Sequence, residues 1–572
     1  MTNKIFKDII ENYQKGNFNE ALKLCNETKE DKNLHTIYNI KGAIHVKQNE
    51  LIKAKSSFLK SIEINKNFLD PYKNLYLIYI KTNDLKSAIN CSKKVIEIET
   101  KKNPISFFNL AYVYELNNNL KVAIEYYLIS DELNFQDKAN LYNNLGNCYL
   151  RLNKLDKSEQ YFLKALSFKK RDKIIINNLL KCYLFSRNLN KSETYYQIAK
   201  SIDDKYIEFK LNEAELILLK NNIYDAIHLL ENLLKENIHN KTLHRLTTLY
   251  LRVNDNDKAN KLLTEGLKKF PKDLQLKSLH GLMLLKDGKF EDGWNYYEFR
   301  KSISDEKYND LKTWKGEDLK NKKILVYSEQ GIGDTIQFSF NLIELSKIVE
   351  IVDFVVKEKV SPIFKKKYKN INIIKDKEVK IDKYSFKISL GSLNKFFYKK
   401  NNNEYFNLFY INDKKFKKWK DKININKKNI GLVWSGYFFG PKEPYRSIKL
   451  ESFNKILNLD CNFYSLQREI WDRDIEFFEK SKIIKYGNND LDDIVTIIKN
   501  LDLVISSDTS ILHLSSVHEK KTWGLIPFDA DWRWYEYYKI HPYQNLKIYK
   551  QKQFNNWDNV LLNLEKDLSN FL

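Results

Sequence analysis

Residues 153–158, Asn-Lys-Leu-Asp-Lys-Ser, carry a pattern that returns along the first half of the chain. It consists of Asn or Gly, a polar residue, a bulky apolar residue, two polar residues and a small residue, and residues 16–21, Gly-Asn-Phe-Asn-Glu-Ala, repeat it. A period of 33 to 35 residues held nine times predicts stacked pairs of amphipathic helices, with small side chains where the helix axes cross closely. The small position is occupied by Ala21, Ala54, Ala88, Ala123, Ser158, Ser192, Ala226, Ala259 and Gly293.

This period resembles that of the tetratricopeptide repeat, and it predicts nine repeats within a first domain, residues 1–300. Stacked repeats of this kind bury a continuous core and wind into a superhelix with a concave face. The resemblance implies that protein partners bind in the groove of the superhelix.

A second small residue often stands twelve residues before the small position of the repeat, as at Ala111, Gly146 and Ala214, and an Asn lies two residues before this earlier position in five consecutive repeats. Asn carries both a donor and an acceptor, so a ladder of Asn side chains along the groove could pair with the main chain of an extended peptide. This arrangement resembles the superhelix of O-linked N-acetylglucosamine transferases, which implies an acceptor-peptide groove. The other interpretation is helix packing, because this repeat position favours Asn across the family. The ladder is formed by Asn74, Asn109, Asn144, Asn178 and Asn212.

The pattern changes after a polar connector, residues 301–321, to short apolar runs that alternate with helices. Strands alternating with helices are typical of parallel sheets, and two such series predict two Rossmann-like lobes, residues 322–428 and 429–572, with a cleft between them. One apolar helix is predicted through Leu345. The predicted strands are residues 323–328, 351–356, 371–374, 386–390, 429–434, 462–466, 483–486, 503–506 and 522–526.

Two turns follow predicted strands and open helices. Gly331-Ile332-Gly333-Asp334 lets a ligand approach the backbone closely, because glycine has no side chain. Ser506-Ser507-Asp508-Thr509-Ser510 supplies residues that favour helix N-termini, where free N–H groups and the helix dipole attract a diphosphate. Either turn alone is also compatible with an ordinary capped helix.

Taken together and in order, the motifs resemble those of bacterial tetratricopeptide-repeat glycosyltransferases related to the ADP-heptose–lipopolysaccharide heptosyltransferases. The resemblance implies a GT-B fold, a nucleotide-sugar donor as substrate, and no cofactor or metal. The motifs are Gln330-Gly331-Ile332-Gly333-Asp334, Gly431-Leu432-Val433-Trp434-Ser435-Gly436, Arg446, Ser465-Leu466-Gln467, Asp502-Leu503-Val504-Ile505, Asp508-Thr509-Ser510 with His513-Leu514, and Asp531-Trp532-Arg533-Trp534.

Carried over by position, the resemblance implies an inverting transfer of a sugar to a protein or glycan acceptor. Asp334 would be the general base, and His513 would stabilise the leaving diphosphate. The donor would be bound by Gly331, Gly333, Trp434, Ser435, Gly436, Arg446, Gln467, Asp508, Thr509, Ser510, His513 and Arg533.

The chain departs from the family at Ser510, where the heptosyltransferases usually have Gly, and at Ser515, Ser516 and residues 518–522. A side chain at a close-approach position can crowd a phosphate. The alternative is therefore a non-catalytic repeat scaffold that carries a degenerate transferase module.

The net charge of +23 suggests nucleic acid or an anionic membrane surface as a partner. Only ten residues are Arg, the residue preferred for reading bases and phosphates, so we expect a lysine-rich solvated surface and no nucleic-acid partner. Peripheral membrane contact stays open as a third interpretation. The five cysteines match no zinc pattern, and no signal or membrane segment is evident, so the sequence predicts a cytoplasmic protein.

Overall fold

The structure is a computed structural model that describes residues 2–28, 32–302, 308–399, 405–423, 426–440, 443–485, 490–534 and 543–572. The chain divides into two compact units, Met1–Ala226 and Ile227–Leu572. The division falls within the repeats, so the later repeats belong to the same compact unit as the sheets. The predicted domain boundaries at residues 300, 321 and 428 stay predictions.

Eighteen α-helices occupy the described residues before residue 298, and they alternate as the two helices of nine repeats. They are α1 (Thr2–Gln14), α2 (Phe18–Glu27), α3 (Leu34–Lys47), α4 (Leu51–Ile64), α5 (Leu69–Lys81), α6 (Leu85–Ile98), α7 (Pro104–Leu116), α8 (Leu120–Glu132), α9 (Lys138–Arg151), α10 (Leu155–Phe168), α11 (Lys173–Phe185), α12 (Leu189–Ile202), α13 (Ile207–Leu219), α14 (Ile223–Glu236), α15 (Asn240–Arg252), α16 (Asn256–Lys269), α17 (Leu274–Lys286) and α18 (Phe290–Tyr297).

One residue with a left-handed backbone separates the two helices of every repeat. A positive φ favours Gly and Asn, and eight of the nine positions hold one of them, whereas Arg187 adopts it with a φ of 55°. The nine residues recur with the same period as the small positions, which confirms the predicted helix pairs. They are Gly16, Asn49, Asn83, Asn118, Asn153, Arg187, Asn221, Asn254 and Gly288.

The small residues allow the two helices of a repeat to approach closely. A Cβ placed on Gly146 of α9 would lie 2.6 Å from ring atoms of Phe162 on α10, and one on Gly42 of α3 would lie 2.5 Å from the ring of Phe58 on α4. Both phenylalanines are fully buried. Each glycine is therefore the socket into which the aromatic ring of the second helix packs.

The first sheet has the strand order β3-β4-β2-β1-β5. All its pairings are parallel except that of β3 with β4. The chain proceeds from β1 to one side of the sheet and later returns to add β5 on the other side. Its elements are β1 (Lys323–Tyr327), α19 (Ile332–Phe338), α20 (Asn341–Ser346), β2 (Ile351–Val355), β3 (Lys367–Tyr368), β4 (Ile371–Ile374), β5 (Phe386–Ser389), α21 (Asn394–Phe397) and α22 (Asp413–Lys420).

The second sheet is wholly parallel, with the strand order β10-β9-β8-β6-β7. The strand order reverses direction between β6 and β8, which is where open parallel sheets bind ligands. Its elements are β6 (Asn429–Val433), α23 (Asn454–Leu457), β7 (Asn462–Ser465), α24 (Asp472–Lys480), α25 (Leu491–Asn500), β8 (Leu503–Ser507), α26 (Ser510–Val517), β9 (Thr522–Ile526), β10 (Leu546–Lys550) and α27 (Asp558–Phe571).

Eight of the nine predicted strands coincide with strands of these sheets. The remaining one is wrong over residues 483–485, where only Ile484 bridges Tyr464, while residue 486 lies outside the described residues. The single helix predicted through Leu345 is divided into α19 and α20. The strands β3 and β10 were not predicted.

The last repeat is built into the core of the second unit. Trp294 of α18 is fully buried and meets the rings of Phe338 and Trp532 edge to face, with centroid distances of 6.2 and 5.1 Å. Phe338 is the last residue of α19, beside the first sheet, and Trp532 follows β9 of the second sheet, so one indole contacts segments that belong to both sheets. None of the helices in the described ranges has the length and hydrophobicity of a membrane-spanning segment.

Candidate functional site

A cavity of about 760 Å³ lies at the carboxyl ends of β1, β6, β7, β8 and β9. It brings together both Gly- and Ser-rich turns, which are about 175 residues apart in the sequence. The cavity is lined by Gly331, Ile332, Gly333, Asp334, Val433, Ser435, Gly436, Tyr437, Gly440, Arg446, Leu466, Gln467, Arg468, Glu469, Asp508, Thr509, Ser510, Ile511, His513, Asp531 and Arg533.

The carboxylate of Asp334 is held from two sides. Its Oδ2 accepts the backbone N–H of Gly331 at 3.2 Å, and its Oδ1 accepts from Nη2 of Arg533 at 2.8 Å. The side chain of Asp334 is 27% exposed, so it is in contact with the solvent of the cavity. The orientation of the carboxylate is therefore fixed while part of it faces the open space.

Helix α26 begins beside the Gly331 turn, since a Cβ placed on Gly333 would lie 3.7 Å from Cα of Ser510. Thr509 caps it, with Oγ1 accepting the N–H of Ile511 at 3.3 Å and pairing with Oγ of Ser506 at 3.1 Å. Ser510 is its first residue and is half-buried. Ser510 lines the cavity, so the positive end of the helix dipole lies at the cavity wall.

The two turns are in contact through Gly333 and His513. A Cβ placed on Gly333 would lie 2.8 Å from Cδ2 and 3.4 Å from Nε2 of His513, so only glycine fits here. His513 is buried, its ring stacks with Trp534 at 5.5 Å, and its Nδ1 pairs with the hydroxyl of Tyr543 at 2.9 Å. The Cδ2–Nε2 edge of the ring therefore faces the Gly333 turn, while Nδ1 pairs with Tyr543 on the other side of the ring.

Arg533 bridges two carboxylates on the cavity wall. Its Nε donates to Oδ1 of Asp531 at 3.0 Å and its Nη2 donates to Asp334, while its guanidinium lies 5.3 Å from the ring centre of Trp532. Burial alone would lower the pKa of Arg533, but the carboxylates of Asp531, Asp334 and Asp508 raise it well above its ordinary value. Arg533 therefore stays protonated and links the loop after β9 to the turn after β1 through two ion pairs.

Arg446 is the second arginine of the wall. Its Nε donates to Oε1 of Glu443 at 2.6 Å, and its Nη1 donates to the backbone carbonyl of Asp508 at 3.0 Å. Gly436 and Gly440 make room for it, because a Cβ on either would lie within 2.8 Å of its guanidinium. Arg446 is therefore fixed beside the N-terminus of α26.

The loop after β6 is clamped by Gln467. Its Oε1 accepts the N–H groups of Trp434 and Ser435, both at 3.2 Å, and its Nε2 donates to the carbonyl and hydroxyl of Ser435, both at 2.8 Å. Both polar atoms of the Gln467 side chain are thus engaged by the protein, so Gln467 holds the loop after β6 in position.

Trp434 departs from the position predicted for a donor-binding residue. Its side chain is fully buried, and its Nε1 donates to Oδ2 of Asp474 at 3.1 Å. The residue directly follows β6, and its ring packs with the hydrophobic core that includes Phe478. The indole is therefore outside the cavity lining, while Ser435 and Gly436 beside it are inside.

Most of the positions at which the sequence differs from the heptosyltransferase motifs lie outside the cavity lining. Ser515 and Ser516 donate to carbonyls of their own helix, and Thr522 donates to Oγ of Ser515 at 3.0 Å. His518 is buried, and that burial lowers its pKa to about 3. Among these positions only Ser510 lines the cavity.

The Asn ladder lies within the first unit, and most of its side-chain amides form hydrogen bonds between neighbouring repeats. Nδ2 of Asn178 donates to Oδ1 of Asn143 at 2.9 Å, and Nδ2 of Asn212 donates to Oδ1 of Asn177 at 2.8 Å. Similar donations join Asn74 to Asn39 and Asn144 to Tyr127, whereas Asn109 is half-buried. Asn212 is also buried, and peptide binding by the ladder stays a prediction.

Two family models described as tetratricopeptide repeat match residues 35–68 and 139–172. The first half of the chain is a tetratricopeptide-repeat solenoid. Both matches lie in the solenoid, and the comparison with curated proteins gave no match.

Several solved tetratricopeptide-repeat structures are similar to the chain. One from Parabacteroides merdae has 16% identity and a TM-score of 0.35, and the alignment covers 42% of this chain and 94% of that one. A thermophilic repeat protein of Thermus thermophilus has 17% identity and a TM-score of 0.29, with 32% and 100% covered. YrrB, described as having an unusual peptide-binding site, has 19% identity and a TM-score of 0.26, with 30% and 89% covered.

The motifs did not indicate several residues of the cavity. Tyr437, Glu443 and Asp531 shape the wall, yet none was predicted as a site residue. Asp531 stands beside Arg533 within a recognised motif, so its role could have been proposed from the sequence. Within the described residues, no group of three His, Cys or carboxylate side chains is arranged to hold a metal ion, and a metal-independent reaction stays a prediction.

Proposed function

We propose that the second unit is a glycosyltransferase of the GT-B type, which transfers a sugar from a nucleotide-sugar donor to an acceptor hydroxyl. The observation that carries the proposal is the shared cavity of Asp334 and the N-terminus of α26. This cavity lies at the carboxyl ends of parallel strands and has room for a nucleotide, at about 760 Å³.

The donor diphosphate would lie at the start of α26. The helix dipole favours an anion there by about 0.3–2 kcal/mol, and a charge-assisted contact with Arg446 contributes about 1.5–3 kcal/mol. Arg446 is fixed through Glu443 and the carbonyl of Asp508, so little conformational entropy would be lost when a phosphate binds.

Asp334 would act as the general base. As the acceptor oxygen attacks the anomeric carbon, its proton passes to the Asp334 carboxylate, the bond to the diphosphate breaks, and the nucleoside diphosphate leaves with that electron pair. One displacement of this kind inverts the anomeric centre. His513 lines the same cavity with its Cδ2–Nε2 edge toward Gly333, and from there it would stabilise the leaving diphosphate.

The repeats would supply the acceptor or a partner. Tetratricopeptide repeats commonly mediate binding of protein partners, so we infer that the solenoid presents a polypeptide, or a glycan-bearing partner, to the module. The Asn ladder is the candidate contact, although its amides serve the solenoid in this structure.

Calorimetric titration with ADP, GDP and UDP, followed by their sugar conjugates, tests the proposal. We expect one nucleoside diphosphate to bind with micromolar affinity, and Arg446→Gln to weaken it about tenfold or more through the loss of one charge-assisted contact. With the donor that binds, Asp334→Asn should abolish sugar transfer while nucleotide affinity stays within about threefold. If no nucleotide binds the wild-type protein, the proposal is wrong.

A second candidate is a non-catalytic scaffold that retains the nucleotide cavity. The observation that favours it is the ion pair between Asp334 and Arg533, which engages one oxygen of the candidate base. Under this alternative a nucleotide binds, but neither wild type nor Asp334→Asn releases sugar from any donor that binds.

A further inference from the structure

The segment between Gly436 and Gly440 adds a feature that the motifs do not explain. It places three consecutive aromatic residues, Tyr437, Phe438 and Phe439, directly after the loop clamped by Gln467. Tyr437 and both glycines line the cavity, and the Tyr437 side chain is 52% exposed. Large aromatic rings are usually more buried than this in a folded protein, so an exposed one on a cavity wall indicates a contact surface.

The loop is anchored on both sides of Tyr437. The N–H of Gly436 donates to Oγ of Ser447 at 2.9 Å, and its carbonyl accepts Nε1 of Trp471 at 3.1 Å. The N–H of Gly440 donates to the carbonyl of Tyr437 at 2.7 Å, which closes the turn. The backbone that carries the ring is therefore fixed before any ligand arrives.

The neighbouring aromatic rings support the same arrangement. Phe438 meets Trp471 edge to face at 5.0 Å, and the rings of Tyr437 and Phe439 lie 5.5 Å apart at 72°. Phe438 thus fastens the loop to the protein, and Phe439 braces the ring of Tyr437 on one side. The aromatic triplet has one anchor, one brace and one exposed ring.

The position of the loop identifies the part of a ligand that the ring would meet. Gly436 and Gly440 both face the guanidinium of Arg446, which lies beside the start of α26, where the proposed diphosphate binds. A flat aromatic ring next to an anion-binding corner suits a ligand with a π face attached to phosphates, since nucleobases stack on such rings irrespective of sequence.

We propose that Tyr437 is the platform on which the nucleobase of a nucleoside diphosphate stacks. The inference rests on the proposed function, because it needs a diphosphate at Arg446 and α26. The nucleobase would then lie against the loop that follows β6, and it would be bound there by stacking on the tyrosine ring.

Titration of the full-length protein with ADP, GDP, UDP and inorganic pyrophosphate tests the inference. We expect Tyr437→Ala to weaken the nucleoside diphosphate that binds the wild type by about 5- to 150-fold, the range found for one base–aromatic stack. Its affinity for pyrophosphate should stay within about twofold. Tyr437→Phe keeps the ring and should stay within about threefold for both ligands. Tyr410→Ala removes a tyrosine that is also exposed, at 42%, but lies outside the cavity lining, and should change neither affinity.

The outcomes separate this inference from the function on which it rests. If the wild type binds neither pyrophosphate nor any nucleotide, the diphosphate site is wrong and the platform with it. If nucleotides bind but Tyr437→Ala weakens them no more than pyrophosphate, the diphosphate site stands and the stacking platform is overturned. A loss seen only with nucleotide sugars would assign the ring to the sugar and would also overturn the inference.

Discussion

Arg533 shows how one residue can serve both the fold and the site. Its Nε donates to Asp531, in the loop after β9 of the second sheet, and its Nη2 donates to Asp334, in the first turn of α19 after β1 of the first sheet. Without the guanidinium these carboxylates would face each other on a wall that also carries Asp508. The bridge therefore neutralises like charges and orients Asp334 together with the N–H of Gly331.

We expect Arg533→Gln to lower the free energy of unfolding of the second unit by about 2–4 kcal/mol, because it leaves two partly buried carboxylates without the cation that they share. Asp334→Asn should cost less, since its side chain is the more exposed partner. A double-mutant cycle measured by urea unfolding should give a coupling energy of about 1–3 kcal/mol. Additive effects within 0.5 kcal/mol would show that the pair contributes nothing beyond its separate members.

His518 provides a prediction on pH. Its ring meets Phe409 edge to face at 5.8 Å, and desolvation lowers its pKa to about 3, with a smaller contribution from Lys499. The folded state therefore excludes a proton that the unfolded histidine binds below about pH 6.5, so the stability should fall as the pH is lowered from 6.5 toward 3.

Between pH 7.5 and 5.0 this residue alone should cost about 2 kcal/mol, following the linkage of about 1.4 kcal/mol per pH unit. His518→Asn should remove that share of the pH dependence in urea unfolding measured at both pH values. His228→Asn changes an exposed histidine of the same unit and should leave the dependence as in the wild type. An unchanged slope in His518→Asn would contradict the prediction.

At the scale of elements, the sequence predicted best where local geometry repeats. The helix pairs followed from small residues and from the Asn or Gly turn, because a left-handed residue and a close helix contact each restrict the residue type. The strand β10 was missed because its pattern at an edge of the sheet carries Lys547 and Lys550, charges that suit an edge but hide a strand. The strand β3 has only two residues.

In the candidate site too, residues in regular local geometry were predicted and residues in irregular loops were not. Gly333 and Asp334 were proposed from a turn between a strand and a helix and from the motif resemblance; both line the cavity, and their roles stay predictions. Glu443 and Tyr437 were missed because they lie in an irregular loop held by residues that are distant in the sequence. Phe438 beside Tyr437 packs on Trp471, and Arg446, the partner of Glu443, donates to the carbonyl of Asp508. Side-chain partnerships of this kind are set by tertiary packing, which has no period in the sequence.

The contact between Gly146 and Phe162 gives a prediction at this scale. Gly146→Ala would normally favour a helix by up to about 1 kcal/mol, yet the added Cβ would meet the Phe162 ring at 2.6 Å. We expect a net loss of about 1–3 kcal/mol in the unfolding of the first unit, measured by urea denaturation. Phe162→Leu removes part of the ring, so the double variant should lose less than the sum of the two. A gain in stability for Gly146→Ala alone would contradict the packing described.

At the scale of the whole molecule, the boundary between the two compact units does not coincide with the change from repeats to sheets. The second compact unit begins at Ile227, so the closing repeats fold with the parallel sheets. Nε2 of Gln330 donates to the hydroxyl of Tyr297 at 2.6 Å, and Nη2 of Arg300 donates to Oε1 of Glu329 at 2.7 Å. The end of the solenoid therefore holds the two residues that precede the Gly331 turn, and so it supports a turn that lines the cavity.

Substitution of Trp294 tests whether the sheets need the last repeat for their stability. We expect Trp294→Ala to lower the free energy of unfolding of the second unit by about 3–5 kcal/mol, because it opens a cavity between Phe338 and Trp532. It should also weaken binding of the nucleotide found by titration, since α19 and the loop after β9 would lose their common support. Scanning calorimetry of the full chain measures the stability, with Trp294→Phe as a milder variant that keeps an aromatic ring. Tyr224→Ala, which truncates a side chain that is 62% exposed in the first unit, should change stability by less than about 0.5 kcal/mol. A loss below 1 kcal/mol for Trp294→Ala would mean that the stability of the sheets does not depend on packing against the last repeat. The repeat would then give no structural support to the segments that line the cavity.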